Sequence, residues 1–237
     1  MSKKISNVYY NSLKYKRRYI NIGLLLLLLT LNSCFDILEE INLNDDGSGK
    51  ITLTFNLSKS KTKIASLKLL DSVNGHKVPD ENDVETFLDE AIVHLQTEKG
   101  ISNVQKKTDF DNYIFSLSCE FTSITNIDKV INDLMAKQKI KPFHSSYKYD
   151  KEGKVFSLNY NYKSESKSQY NKLKENDKKV FNDAYYISIY RFENEIISYT
   201  NTNAKLSKSK KAMMLKSSAL DLINGKTNLT NQIHLNK

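Results

Sequence analysis

Few residues in this chain have the type and spacing for chemistry. Two cysteines, Cys34 and Cys119, and four histidines, His76, His94, His144 and His234, are spread over 237 residues. Histidines scattered in this way read as surface or boundary positions rather than as a metal centre. The acidic turn Asp45-Asp46-Gly47-Ser48-Gly49 invites a calcium reading, because Asn42, Asn44, Asp46 and Gly47 fall on the first marker places of an EF-hand loop. The twelfth place is Leu53, where a bidentate glutamate is needed, and a hairpin turn is the better reading. Acid pairs such as Asp89-Glu90 read as a solvent-facing helix surface. The chain has no G-x-S-x-G elbow, phosphate loop or glycine-rich dinucleotide turn. The expectation is a protein without enzymatic activity and without a cofactor. Two features remain. One is Cys34, and the other is the cluster Lys205, Lys208, Lys210 and Lys211, which contains no acid.

Cys34 closes the apolar stretch Ile22–Cys34. Lys3, Lys4, Lys14, Lys16, Arg17 and Arg18 precede it, and residues 1–33 contain no acid. A basic segment followed by a short apolar one is the pattern of a secretory signal. The run of about a dozen residues falls short of the roughly 20 that a spanning helix needs. Its end, Leu31-Asn32-Ser33-Cys34, resembles the lipobox of bacterial lipoproteins, with Asn32 as the departure from the common pattern. The resemblance implies cleavage before Cys34, diacylation of its sulfur (the palmitate class of modification) and stable membrane anchoring, since each buried CH₂ adds ~0.8 kcal/mol. Residues 1–33 are then a signal peptide and 34–40 a lipidated tether. Asp36, Glu39 and Glu40, close behind the cysteine, weakly resemble a surface-export signal.

The formal charge of +9 would suggest nucleic acid. Removing residues 1–33 leaves 30 basic against 27 acidic residues, and an exported chain meets little nucleic acid, so none is expected as partner. Cys119 has no second thiol once Cys34 is acylated. It lies in the alternating run Tyr113–Phe121, where a thiol behaves as a small buried hydrophobe.

From Ile41 onward the pattern is hairpin, helices, hairpin, helix, hairpin, helix, strands, read as one domain over 41–237. Ile41–Asn44 and Ile51–Leu57 alternate around the acidic turn, as do Ile101–Lys107 and Tyr113–Phe121, and Phe143–Tyr149 and Val155–Tyr162. Apolar residues from Val84 to Leu95 recur at helical spacing, with Asn82 as cap, Glu85 three places on and Gly100 closing the end. A helix follows from Thr125, and another is expected within Ser164–Asp183. Strands are expected at Tyr185–Phe192, Ile196–Thr200, Ala212–Ser218 and Leu229–Leu235, with Ile196–Thr200 and Ala212–Ser218 as neighbours joined by 201–211. The tyrosines 147, 149, 160 and 162 share one face of their hairpin. Such a face binds sugar or lipid in some proteins and packs across strands in most. The fold class is α+β, an antiparallel sheet of successive hairpins with amphipathic helices packed on one face.

The lipobox, the Glu40–Gly49 segment and the Tyr190–Ser198 stretch together are similar to uncharacterised lipoproteins of Bacteroidota. More distantly they resemble LppM-like envelope lipoproteins, whose α+β domain is thought to bind lipid or a small molecule. The resemblance implies an envelope lipoprotein, and the expected function is a non-enzymatic binding or structural module of the cell envelope, lipid-anchored at the outer membrane, with an envelope protein or lipid as partner. The alternative is a carrier holding a lipid or another apolar ligand between sheet and helices. Lys205, Lys208, Lys210 and Lys211 are the residues expected to touch anionic head groups.

Overall fold

The computed structural model describes residues 35–70, 72–73, 76–137 and 144–237. The signal segment, Cys34 and the connection around Pro142 lie outside them. Along the chain come β1 (Asp36–Leu43), β2 (Gly49–Asn56), α1 (Lys61–Leu67), β3 (Ser72–Val73), β4 (His76–Lys77), α2 (Glu81–Thr97), β5 (Ile101–Asp109) and β6 (Ile114–Phe121). Then follow α3 (Thr125–Lys137), β7 (His144–Asp150), β8 (Val155–Asn161), α4 (Ser164–Lys172), α5 (Glu175–Lys178), β9 (Tyr185–Phe192) and β10 (Ile196–Tyr199). The chain ends with β11 (Lys205–Leu206), β12 (Ala212–Ser218), α6 (Ala219–Ile223) and β13 (Asn231–Leu235).

The fold is α+β, and the three expected hairpins form as β1–β2, β5–β6 and β7–β8. The strands divide between a seven-stranded sheet, in the order β11-β12-β9-β1-β2-β6-β5, and a four-stranded sheet, β10-β13-β8-β7. β3 and β4 pair as a short separate hairpin. At the centre of the large sheet β1 runs parallel to β9, with Asp36 opposite Tyr185 and Leu43 opposite Phe192. The other strand pairings are antiparallel.

Period-two alternation makes these strands two-faced. Ile41 and Leu43 of β1, Tyr190 and Phe192 of β9, and Met213 and Leu215 of β12 share the inner face of the large sheet and are buried. The small sheet covers them with Tyr147, Phe156, Leu158, Ile233 and Leu235. Phe156 sits 5.1 Å from the Tyr190 ring and 5.6 Å from Phe192, centroid to centroid, inside the range where aromatic pairs attract. The space between the two sheets is filled there by the protein's own side chains. The tyrosine-bearing face of β7 and β8 is part of this packing.

Several expectations need correction. β1 starts at Asp36, so the segment expected to be tether through residue 40 is mostly the central strand of the large sheet. The alternation that begins at Ile37 continues without a break into Ile41 and Leu43, which carries the strand back to Asp36. α2 is capped by Asp80, not Asn82. Asp80 Oδ1 accepts from Asp83 N at 2.8 Å and Asp83 Oδ2 accepts from Asp80 N at 3.0 Å, a reciprocal box that starts the helix at Glu81. Glu85 is engaged by Lys106 and Thr108 instead. Gly100 (φ +81°) lies past the extended Glu98, in the turn into β5. The helix expected within 164–183 is broken at Leu173-Lys174 into α4 and α5. β10 is no neighbour of β12, because it joins the small sheet beside β13. Residues 201–211 hold an anchor at Asn201, then β11, and a turn of only 207–211.

Candidate functional site

Among the described residues, a buried cluster of ionisable side chains stands between the two sheets. β1 carries Glu39 on its inner face, in register with Leu53 of β2 and Ser188 of β9. Only 5% of Glu39 is exposed. On β9, Tyr186 and Tyr190 flank Ser188 on the same face, and the small serine leaves both rings free to lean toward the acid. From the facing sheet Tyr147 reaches across. Tyr147 Oη donates to Glu39 Oε2 at 2.7 Å, Tyr186 Oη to the same oxygen at 2.6 Å, and Tyr190 Oη to Oε1 at 3.2 Å. Burial raises the Glu39 pKa above the usual carboxylate range, and the three phenols oppose that rise without cancelling it. All three tyrosines are pushed well above the ordinary phenol value, chiefly by burial and then by the neighbouring acid. A carboxylate whose oxygens are held by donors from two sheets is a clamp. Ser188 is 0% exposed beside it, so a substrate has no approach from that side.

A second polar group closes the end of the sandwich remote from Asp36. Asp45 Oδ1 accepts from Lys154 Nζ at 2.5 Å and from Asn194 Nδ2 at 2.8 Å, and Asp45 N donates to Glu193 Oε2 at 2.7 Å. Three turns are joined in this way: β1–β2, β7–β8 and β9–β10. Asn44, Asp45, Asp46, Lys151 and Glu193 line a shallow open depression of about 420 Å³ there. The turn itself is an ordinary hairpin. Gly47 adopts φ +90°, and Asp46 Oδ1 accepts from Ser48 N at 2.9 Å and from Ser48 Oγ at 2.6 Å. Among the described residues, no group of three or more His, Cys, Asp or Glu is placed to hold a metal ion.

The residues singled out in the sequence do not converge. Cys34 lies outside the described residues. Lys205 opens β11, and Lys208, Lys210 and Lys211 sit in the exposed turn between β11 and β12. That turn adjoins Ala212, which is opposite Arg191, so it lies at the end of the sheet away from Asp36. The distance from Asp36 is roughly 20–25 Å at the rise of a strand. Cys119 is free and buried in β6, and burial pushes its thiol up to about 11. His94 is nearly enclosed on α2, with Nε2 3.9 Å from Glu98 Oε1.

Sequence reasoning missed Glu39, treating it as part of a tether. The signal was present: Ile37, Glu39, Ile41 and Leu43 occupy alternate positions, so whatever buries Ile41 also buries Glu39. Tyr186, Ser188 and Tyr190 alternate in the same way on the strand that turns out to be its neighbour.

No family model matches the chain, and no curated protein matches it. Among solved structures, the NMR structure of the folded domain of Mycobacterium tuberculosis LppM is similar, with a TM-score of 0.42 and 11% identity over 85% of this chain and 91% of that one. No helix among the described residues is long and apolar enough to cross a membrane.

Proposed function

We propose that this chain is a lipid-anchored, non-enzymatic module of the bacterial cell envelope, fixed to its membrane through an acylated Cys34. The observation that carries this is the sequence Ile22–Cys34 behind its basic segment, ending in Leu31-Asn32-Ser33-Cys34. The fold supports it. β1 starts two residues after Cys34. A chain acylated there therefore passes from lipid to central strand with almost no linker, so the anchor holds the domain close against the bilayer. The Glu39 cluster supports a structural role for the buried acid rather than a catalytic one, because three phenols and an enclosing core occupy the directions a substrate would need.

The test is mass spectrometry of the mature amino terminus from bacterial envelopes. The expected result is a chain beginning at Cys34 with two acyl chains on its sulfur through glycerol. Cys34→Ser should leave uncleaved precursor or release protein from the membrane. A mature terminus elsewhere with an unmodified amine would end the proposal.

A further inference from the structure

The end of the sandwich remote from Asp36 carries two patches of opposite charge, side by side. Four turns meet there. Ile196 N donates to Lys210 O at 2.8 Å and Phe192 N to Lys211 O at 2.9 Å, which seats the β11–β12 turn against the β9–β10 turn. Asp45 N donates to Glu193 Oε2, and Asp45 Oδ1 accepts from Lys154, which carries the row on through the β1–β2 and β7–β8 turns. The β11–β12 side is cationic. Lys205, Lys208, Lys210 and Lys211 are exposed, and none of the four makes an ion pair among the described residues. Residues 196–220 contain no acid. The other three turns are acidic. Asp46, Asp150, Glu152, Glu193 and Glu195 are exposed there and are likewise without an ion pair among the described residues. Asp46, Asp150 and Glu193 accept only from Ser48, Gly153 and the amide of Asp45. Asp45 is matched by Lys154, and Lys50 lies opposite Glu120 in register. The cations left beside the five acids are Lys151 and Lys237, the latter placed by the bond from Asn236 N to Glu195 O at 2.7 Å. A surplus of acid therefore stands next to a surplus of lysine.

Opposite patches side by side on one face are complementary to themselves. A two-fold axis lying in that face, between the patches, turns the lysines of one copy onto the acids of the other and makes the same contact a second time. We infer that this end is an interface between two copies of this chain, related by a two-fold axis near Ile196 and Lys210, with the lysine turn of each copy on the acidic turns of the other. Ile197, 67% exposed, follows the junction directly and supplies apolar surface close to that axis. A second copy is the occupant that fits because it answers both signs of charge. An anionic lipid surface would attract the lysines and be repelled by the acids beside them. Exposed ion pairs are individually weak and screened by salt, so the dimer is a weak one that salt dissolves. The inference gives Lys205, Lys208, Lys210 and Lys211 an acidic protein face in place of lipid head groups, and it holds with or without acylation of Cys34.

Sedimentation of the full-length protein in non-ionic detergent reads the assembly. The expected result is a dimer at low salt, populated by about 100 µM, that becomes monomer in high salt. Lys208→Ser removes two contacts at once by symmetry and should raise the dissociation constant roughly fivefold. Charge reversal gives a sharper arm. Lys208→Glu with Lys211→Glu should sediment as monomer, and so should Glu152→Lys with Glu195→Lys. Mixed in equal amounts the two variants should dimerise again, because the two reversals restore opposite charge at both contacts; the recovery also shows that both variants fold. A wild type that stays monomeric at low salt would overturn the inference. Binding of that monomer to phosphatidylglycerol vesicles, lost in Lys208→Glu with Lys211→Glu, would then give the lysines to lipid. A dimer that persists in both reversed variants would also overturn it, as would a mixture that stays monomeric while each variant keeps the wild-type circular dichroism. Species that grow beyond the dimer with concentration would replace the two-fold contact by a head-to-tail one.

Discussion

A carboxylate enclosed between two sheets survives only with donors, and Glu39 has three phenols arranged around its two oxygens. Because burial holds its proton to higher pH than in the unfolded chain, the folded state binds the extra proton in that interval. Its contribution to stability is therefore complete below the ordinary glutamate range and is lost as pH rises through the raised value. Two substitutions separate charge from hydrogen bonding. Glu39→Gln keeps an acceptor and removes the ionisation, and should match or exceed the wild type in urea midpoint at pH 7. Glu39→Ala leaves three phenols without their acceptor and should lose about 3–5 kcal/mol. An alanine variant within 1 kcal/mol of wild type would show that the cluster does not hold the sheets together. At this scale the sequence spoke clearly about Cys119, whose apolar neighbours in alternation placed it in the core. It spoke less clearly about Glu39, because a charge in an alternating row looks like a surface break until the partners that neutralise its burial are known. Those partners lie 108, 147 and 151 positions away, beyond any local pattern.

Among the elements, α3 is tied to β7 by a side chain that reaches backbone. Asp128 accepts from Tyr147 N at 3.0 Å through Oδ1 and at 3.1 Å through Oδ2. Burial raises its pKa to about 6, and the hydrogen bond from Tyr147 only partly offsets that. The sign is the same as for Glu39: the contribution is present below the ordinary aspartate range and is lost by about pH 6. Asp128→Asn should therefore flatten the stability curve over that interval, with a gain at pH 7 on the order of 1–3 kcal/mol relative to wild type. Urea unfolding at pH 4.5 and pH 7 measures it, and identical slopes for the two proteins would contradict the assignment. Elements were the most legible scale. The three hairpins, α2 and α3 followed from periods of two and 3.6. The misplaced cap has a physical reason: Asp80, Asn82 and Asp83 are all good capping types, and only the backbone shows which pair closes the reciprocal box.

For the whole molecule, assignment of strands to sheets was not legible, because alternation marks a buried face without saying which sheet covers it. β10 and β12 both alternate, yet one joins each sheet. The last strand, β13, lies inside the small sheet between β10 and β8, and its buried Asn231 accepts from Asn201 N at 2.9 Å and donates to Met213 Sδ at 3.2 Å. Deleting residues 231–237 would strip two neighbours of their partner and uncover Phe156. The shortened chain should lose cooperative unfolding, read by circular dichroism against denaturant, while an intact transition would mean the large sheet stands alone. The parallel junction of β1 with β9 has a further consequence, in time rather than space. β1 is the first described strand to be synthesised, and the residue opposite Asp36 is Tyr185, almost 150 positions later. At about 5–20 residues per second, one edge of the central strand waits roughly 7–30 s for its partner. Until then it presents an open row of amides and carbonyls to any extended neighbour. The nascent chain is therefore most vulnerable to mispairing at the very strand that becomes the middle of its large sheet.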